Sequence, residues 1–133
     1  MKKINFVLKT LVLVTVFAFS NCQNSTGQNA TLLAPDIFEK KITEPNVQLV
    51  DVRTPEEFAT GHIGNASNIN FRTADFKNLM EKLDKTKPVA VYCGVGGRSG
   101  KTVKMLAEMG FKSVFDLEGG ITAWQGKGKK VNL

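Results

Sequence analysis

Short apolar runs alternating with amphipathic segments predict an α/β domain, a parallel sheet covered by helices on both faces. Three observations carry that expectation. The runs Gln48-Leu49-Val50-Asp51-Val52 and Val89-Ala90-Val91-Tyr92 are almost continuously apolar, as strands buried on both faces are. Between such runs the apolar residues recur at helical spacing, as Phe76, Leu79, Met80 and Leu83 do in "TADFKNLMEKL". The connections are short, and 133 residues hold one compact domain with no room for a second.

Thr31-Leu32-Leu33 is the first, short strand, and Pro35-Asp36 suits the start of a helix over "DIFEKKI". Residues 48–52 are the second strand. Pro55 then opens a short helix, "PEEFATG", with Glu56 and Glu57 at the positive end of its dipole. Asn68-Ile69-Asn70-Phe71 alternates and predicts a third strand. The helix of "TADFKNLMEKL" follows, then the fourth strand at 89–92, bounded by Pro88. From Ser99 to Met109 the apolar Val103, Leu106 and Ala107 keep helical spacing, and Gly110 supplies the stop. Residues 113–117 are the fifth strand, and "EGGITAWQG" makes a turn and a last short helix. No heptad or fixed-period repeat is present.

The first 21 residues do not fit this domain. Lys2, Lys3 and Lys9 give a basic start, and the uncharged run "TLVLVTVFAFS" at 10–20 is shorter than the roughly 20 apolar residues of a membrane-spanning helix. A signal peptide over 1–21 is expected, then a polar tether over 22–30 and the folded domain over 31–133. "FSNC" at 19–22 resembles the lipobox of bacterial lipoproteins, in which cleavage before the cysteine leaves that residue lipidated at the mature N-terminus. The resemblance implies lipidation of Cys22 and a domain anchored at a bacterial cell envelope, facing the periplasm or the exterior. Asn21 stands where Gly, Ala or Ser is usual, which keeps a plain secretory signal and a soluble exported domain as the alternative.

The lysines of 1–21 account for half of the formal net charge of +6. The remainder is scattered apart from Lys127, Lys129 and Lys130, expected to be a solvated end. Without a basic stripe, no nucleic-acid partner is expected. Of the two cysteines, Cys22 is assigned to lipid, so Cys93 has no disulfide partner in an exported chain. One histidine, His62, and one free thiol are too few for ordinary metal ligation, and neither a metal nor another cofactor is expected.

Cys93 ends the fourth strand and opens "CGVGGRSG". A thiol of ordinary pKa, about 8.5, is mostly protonated near neutrality and a poor nucleophile. Two features lower that value. The helix beginning near Ser99 aims its free N–H groups and positive dipole end at the loop, and Arg98 adds a full charge. Gly94, Gly96 and Gly97 have no side chains, so successive amides can turn inward as an anion-binding nest. Such a nest suits attack on a sulfane sulfur and also the holding of a tetrahedral oxyanion.

Three segments in this order and spacing, "LVDVRTPEEFATGHIGNASNI" (49–69), "VAVYCGVGGRS" (89–99) and "VFDLEGGITAW" (114–124), resemble the single-domain rhodaneses, a sulfurtransferase family, over about residues 31–130. Gly64 follows Ile63 where that family commonly has proline, a difference confined to one turn. The resemblance implies a rhodanese-like three-layer α/β/α fold with a five-stranded parallel sheet in the order 1-5-4-2-3. In that order the strand ends at Asp51-Val52-Arg53 and Tyr92-Cys93 flank a switch point, where open α/β sheets hold their ligands.

The resemblance also implies an activity. Cys93 takes the outer sulfur of thiosulfate or a persulfide, becomes Cys-S-SH, and passes the sulfur to a thiol or cyanide. Arg98 is the second catalytic residue, and Gly94, Val95, Gly96, Gly97 and Ser99 hold the bound group. Asp51 and Arg53, in "DVR", are expected to hold the active-site loop and the neighbouring strand by hydrogen bonds. His62, in Gly-His-Ile, is structural and not the base of a Cys/His pair. Glu57 pairs with a nearby basic group or sits in the first turn of its helix. Trp124 is core or pocket wall, and Gly119-Gly120 is a tight turn.

Loop length separates the neighbouring chemistries. Four residues lie between Cys93 and Arg98; the related cell-cycle phosphatases and arsenate reductases use five, a wider cradle suited to phosphate. Rhodanese-like modules that have lost the cysteine serve in binding or regulation, and a sulfur carrier loaded by another enzyme stands between that reading and an enzyme. Charge within the loop is limited to Arg98, so a thiol or protein persulfide suits it as well as thiosulfate does. A monomer is expected, partnered by a small-molecule or protein sulfur donor and a thiol acceptor.

Overall fold

The computed structural model describes residues 30–133; the expected signal peptide, Cys22 and positions 22–29 of the expected tether lie outside the described residues. Five strands, β1 (Ala30–Leu33), β2 (Gln48–Asp51), β3 (Ser67–Asn68), β4 (Val89–Tyr92) and β5 (Val114–Leu117), form a parallel sheet in the order β1-β5-β4-β2-β3. The helices are α1 (Pro35–Ile42), α2 (Pro55–Ala59), α3 (Phe76–Glu81), α4 (Gly97–Glu108) and α5 (Gly120–Gly126). This is the fold class and the strand order expected above.

Alternation along each strand creates two cores. Val50, Val52, Val89 and Val91 meet Phe76 and Met80 of α3 and Val103 and Leu106 of α4. On the opposite face Leu49, Ala90, Tyr92 and Leu117 meet Phe38 of α1 and Ile121 and Trp124 of α5. Trp124 is a core residue: its ring meets Phe38 edge-on at 6.5 Å, and its Nε1 donates to Lys130 O at 3.0 Å. Tyr92 is fully buried, and its hydroxyl accepts the Ile63 N–H at 2.9 Å.

The structure differs from the sequence expectation at several boundaries. Ala30, expected as the last tether residue, is the first residue of β1. β3 is two residues long rather than the alternating 68–71, because Asn70 turns the chain: its Oδ1 accepts the Arg72 N–H and its carbonyl accepts the Thr73 hydroxyl. Ile69 and Phe71 still donate to Asp51 O and Val52 O, so the edge stays attached to β2. α4 begins two residues before Ser99, because Gly96 takes φ +110° and turns the loop straight into the helix. The basic end is not wholly solvated: Lys129 pairs with Asp36 at 2.9 Å and Glu39 at 2.5 Å, and lies over the Trp124 ring. Asp36 and Glu39 lie one turn apart on α1, so both face the returning chain.

The ends of β2 and β4 meet where the strand order diverges, and Val52 N–H donates to Tyr92 O at 3.0 Å. A buried ion pair sets the β2 end. Arg53 Nη2 donates to Asp51 Oδ2 at 2.6 Å and to Gly61 O at 2.7 Å, and the Arg53 amide donates to Asp51 Oδ1 at 2.9 Å. Burial disfavours the Arg53 charge, and the Asp51 carboxylate more than restores it. Asn68 Nδ2 donates to both Asp51 O and Arg53 O, joining this brace to β3. Asp51→Ala strands a buried guanidinium, so urea unfolding should show a loss of about 3–5 kcal/mol. A loss under about 1 kcal/mol, the range of an exposed pair, would mean that water already screens Arg53.

Candidate active site

β4 delivers Cys93 to the head of the sheet, where its side chain is 1% exposed. The Gly96 N–H donates to Sγ at 3.1 Å, and the Ser99 Oγ lies 3.4 Å from Sγ. Ser99 is fully buried, and its hydroxyl is also 3.3 Å from Gly96 O. Burial pushes the thiol up; the Ser99 hydroxyl and the amides of Ser99, Gly96 and Val95 pull it further down, so the net shift is below the ordinary value. Cys93 is thus a buried thiol that ionises more readily than an ordinary one.

The three loop glycines have different tasks. Gly96 makes the left-handed turn and supplies the amide that bonds Sγ. Gly94 sits under the Arg98–Glu57 pair, where a Cβ would make ordinary contact with Arg98 Nη2 at 3.4 Å. Gly97 is the first residue of α4 and faces open space. Arg98 lies in the same first turn.

Arg98 does not stand free beside the sulfur. Its Nη1 and Nη2 donate to Glu57 Oε2 at 2.7 Å and Oε1 at 2.8 Å. Glu57 is itself held, with Oε2 accepting the Thr54 N–H while Thr54 Oγ1 accepts the Glu57 N–H, a capping box at the start of α2. The Arg98 guanidinium lowers the Glu57 pKa to about 2. The pair's contribution to stability is therefore complete above the ordinary glutamate range and is lost only as pH falls toward that value. Glu57 raises the Arg98 pKa most, against burial, and the Cys93 anion adds to it.

An open pocket of about 290 Å³ is lined by Cys93, Val95, Gly97, Arg98 and Lys101. Val95 is 73% exposed at its rim. Ser99 lies buried beneath the helix start. The bonds of Asp51 and Arg53 run to Gly61 and the β3 edge, so they brace the neighbouring strand rather than the Cys93 loop directly. His62 stacks on Phe58, with ring centroids 4.0 Å apart, and its backbone pairs with Asn132, away from the pocket lining.

Sequence reasoning missed three residues here. Lys101, one helical turn beyond Gly97 on α4, lines the pocket. Gly120 is more than a turn residue: a Cβ on it would fall 2.5 Å from both Cys93 O and Gly94 O. The Ile121 and Thr122 amides donate to those same carbonyls at 2.9 and 3.1 Å, so α5 clamps the loop from behind. The signal was the double glycine, which shows a close approach without showing what approaches. Asp116, buried in β5, is the third; an acid inside an otherwise apolar strand was visible in the sequence.

Residues 34–127 match the rhodanese-like domain. The chain belongs to the rhodanese-like family. It is 42% identical over 94 residues to YtwF of Bacillus subtilis (strain 168), covering 71% of this chain and 88% of that protein. It is 36% identical over 84 residues to the thiosulfate sulfurtransferase GlpE of Coxiella burnetii (strain RSA 331 / Henzerling II), covering 63% of this chain and 77% of GlpE. The crystal structure of a rhodanese-related protein from Thermoplasma volcanium matches with a TM-score of 0.69 at 30% identity, over 77% of this chain and 98% of that one. This rhodanese-like domain therefore has relatives named as sulfurtransferases.

The close approach of Gly120 is testable. Gly120→Ala places a methyl group against the Cys93 and Gly94 carbonyls at φ +61°. A cost of about 1–3 kcal/mol in stability is expected, with slower alkylation of Cys93 by iodoacetamide. Gly126→Ala, in the same helix with nothing within 4 Å, should match wild type in both measurements.

Proposed function

We propose that this rhodanese-like domain is a sulfurtransferase that moves a sulfane sulfur through a persulfide on Cys93. The observation that supports it is the pairing of Sγ with the Gly96 amide and the Ser99 hydroxyl, which favour the thiolate in a buried position. The thiolate attacks the outer sulfur of the donor. A new S–S bond forms at Sγ as the donor's S–S bond breaks, and sulfite or a thiolate leaves with the electron pair. The outer sulfur then occupies the pocket bordered by Val95, Gly97, Arg98 and Lys101. An acceptor thiolate or cyanide attacks it, and Cys93 leaves as the thiolate again.

The charge around the pocket bears on the donor. Glu57 takes both guanidinium ends of Arg98, so the field at the mouth is weaker than a free arginine would provide. The exposed Val95 adds an apolar rim. Both features suit the persulfide of a small thiol or a protein at least as well as doubly charged thiosulfate. The four-residue spacing from Cys93 to Arg98 favours this reading over phosphate or arsenate chemistry.

Incubation of the protein with glutathione persulfide or thiosulfate, followed by mass spectrometry, tests the reading. Wild type should gain the mass of one sulfur atom and lose it on addition of cyanide. Cys93→Ser should gain nothing and transfer nothing, and undiminished transfer by that variant would remove Cys93 from the mechanism.

The proposal includes a location: lipid anchoring through Cys22 at the cell envelope, supported by the basic start, the short apolar run and "FSNC". Several acyl chains anchor firmly where one does not. Labelled fatty acid should enter the wild-type protein and not Cys22→Ser. A wild-type protein that is exported without label would be the soluble alternative.

A further inference from the structure

Arg98 and Lys101 both line the pocket beside Cys93, and they differ in how they are held. The Arg98 guanidinium donates through Nη1 and Nη2 to Glu57 Oε2 and Oε1 at 2.7 and 2.8 Å. Fork against carboxylate is the strong geometry for such a pair. Glu57 Oε2 also accepts the Thr54 N–H at 2.9 Å, which fixes the carboxylate in place. Lys101 has no counterpart to Glu57. Among the described residues no ion pair or hydrogen bond holds its ammonium. Its neighbours one turn away on α4 are Gly97, Arg98, Lys104 and Met105, so its own helix offers it no carboxylate. It is exposed, and its charge rides on a flexible aliphatic stem.

We propose that Lys101 is the residue that reads the charge of the sulfur donor, that Glu57 enforces this by holding Arg98, and that the pair selects a small carboxylate-bearing thiol persulfide over thiosulfate. Thiosulfate packs two negative charges into one small ion, so its charge must be met close to Sγ. There the Arg98 charge is offset by a fixed carboxylate, which also repels the incoming dianion. A carboxylated persulfide carries its carboxylate some atoms away from the reacting sulfur. A mobile ammonium can follow that group, whereas a guanidinium pinned at both ends cannot.

The rest of the pocket suits the same class of donor. Val95, 73% exposed at the rim, offers an apolar surface to the carbon chain between sulfur and carboxylate. The cavity, about 290 Å³, is of the size of a site for a small molecule rather than for a folded partner. With the carboxylate on Lys101, the Cys93 thiolate attacks the outer sulfur. The Sγ–S bond forms, the donor's S–S bond breaks, and the donor leaves as its thiolate with the electron pair.

This assignment rests on the sulfur-transfer reading, so one arm of its test uses no sulfur donor. In the first arm, the rate at which Cys93 gains a sulfur is followed by mass spectrometry with glutathione persulfide, uncharged 2-hydroxyethyl persulfide and thiosulfate. Lys101→Ala should lower the rate with glutathione persulfide, relative to hydroxyethyl persulfide, by about tenfold, the worth of a charged hydrogen bond. Glu57→Gln, which keeps a residue suited to the capping box, should raise thiosulfate relative to glutathione persulfide. An unmoved ratio in either variant overturns the proposal. In the second arm, Cys93 is alkylated by iodoacetate, which carries a carboxylate, and by neutral iodoacetamide. Lys101→Ala should lower the iodoacetate to iodoacetamide rate ratio by about two- to fivefold, as loss of an exposed ion pair does. Lys104→Ala, exposed on α4 outside the pocket lining, should keep the wild-type ratio. Equal falls in the two lysine variants would show a general field of the helix, and no fall in either would show an idle Lys101; each overturns the proposal. Alkylation ratios that respond in a protein that never gains sulfur would sink the proposed function and leave Lys101 as the anion reader of the pocket. Sulfur loading with every ratio unmoved would sink this inference alone.

Discussion

Cys93 is 1% exposed, and a thiol removed from water resists ionisation unless protein donors replace the solvent it has lost. Much of the architecture near the sheet's switch point can be traced to that requirement. A parallel strand ends with its backbone directed outward, and the helix that follows begins with unpaired N–H groups. Gly96 joins the two without an intervening turn, which brings its own amide and the Ser99 hydroxyl onto the sulfur. A side chain at position 96 would have to adopt φ +110°, so the donor arrangement depends on that glycine's backbone freedom.

A donor cage of this kind works only if the loop is rigid, and the loop is held from separate directions. Behind it, the α5 amides bond the Cys93 and Gly94 carbonyls, with Gly120 close against them. Above it, Glu57 grips Arg98 through a carboxylate already fixed by Thr54. At its base, β4 bonds to β2, and the β2 end is stiffened by the Asp51–Arg53 pair. Preorganised donors of this type need no rearrangement when charge forms on the sulfur. The Glu57–Arg98 pair also sets the electrostatics of the pocket, because an arginine paired with a carboxylate attracts an anion less than a free one does.

Much of the fold was legible because its signals are local. β2 and β4 carry apolar runs that need both faces covered, and α4 carries Val103 and Leu106 on one face; each pattern lies within a dozen residues. The parallel sheet follows from the alternation of such segments. Their order in the sheet came from the resemblance of three motifs rather than from any pattern in the strands. β3 was misjudged at its ends because an alternating tetrapeptide looks the same whether or not a partner is available, and Asn70 diverted it into a turn. Lys129 looked like part of a free basic end because its acidic partners on α1 are some ninety positions away.

The sequence by itself determined the fold class, the nucleophile candidate Cys93 and the glycine-rich loop after it, because each is written in contiguous residues. Tertiary structure decided what surrounds the sulfur. Glu57 and Arg98 are 41 positions apart, and Gly120 reaches back to Cys93 from the next strand–helix junction. Asp116 is brought under the first turn of α4 by the register of β5 against β4. No local pattern encodes such pairs. They exist because parallel strands distant in sequence align side by side, and a register shift of one residue would turn Asp116 to the opposite face of the sheet.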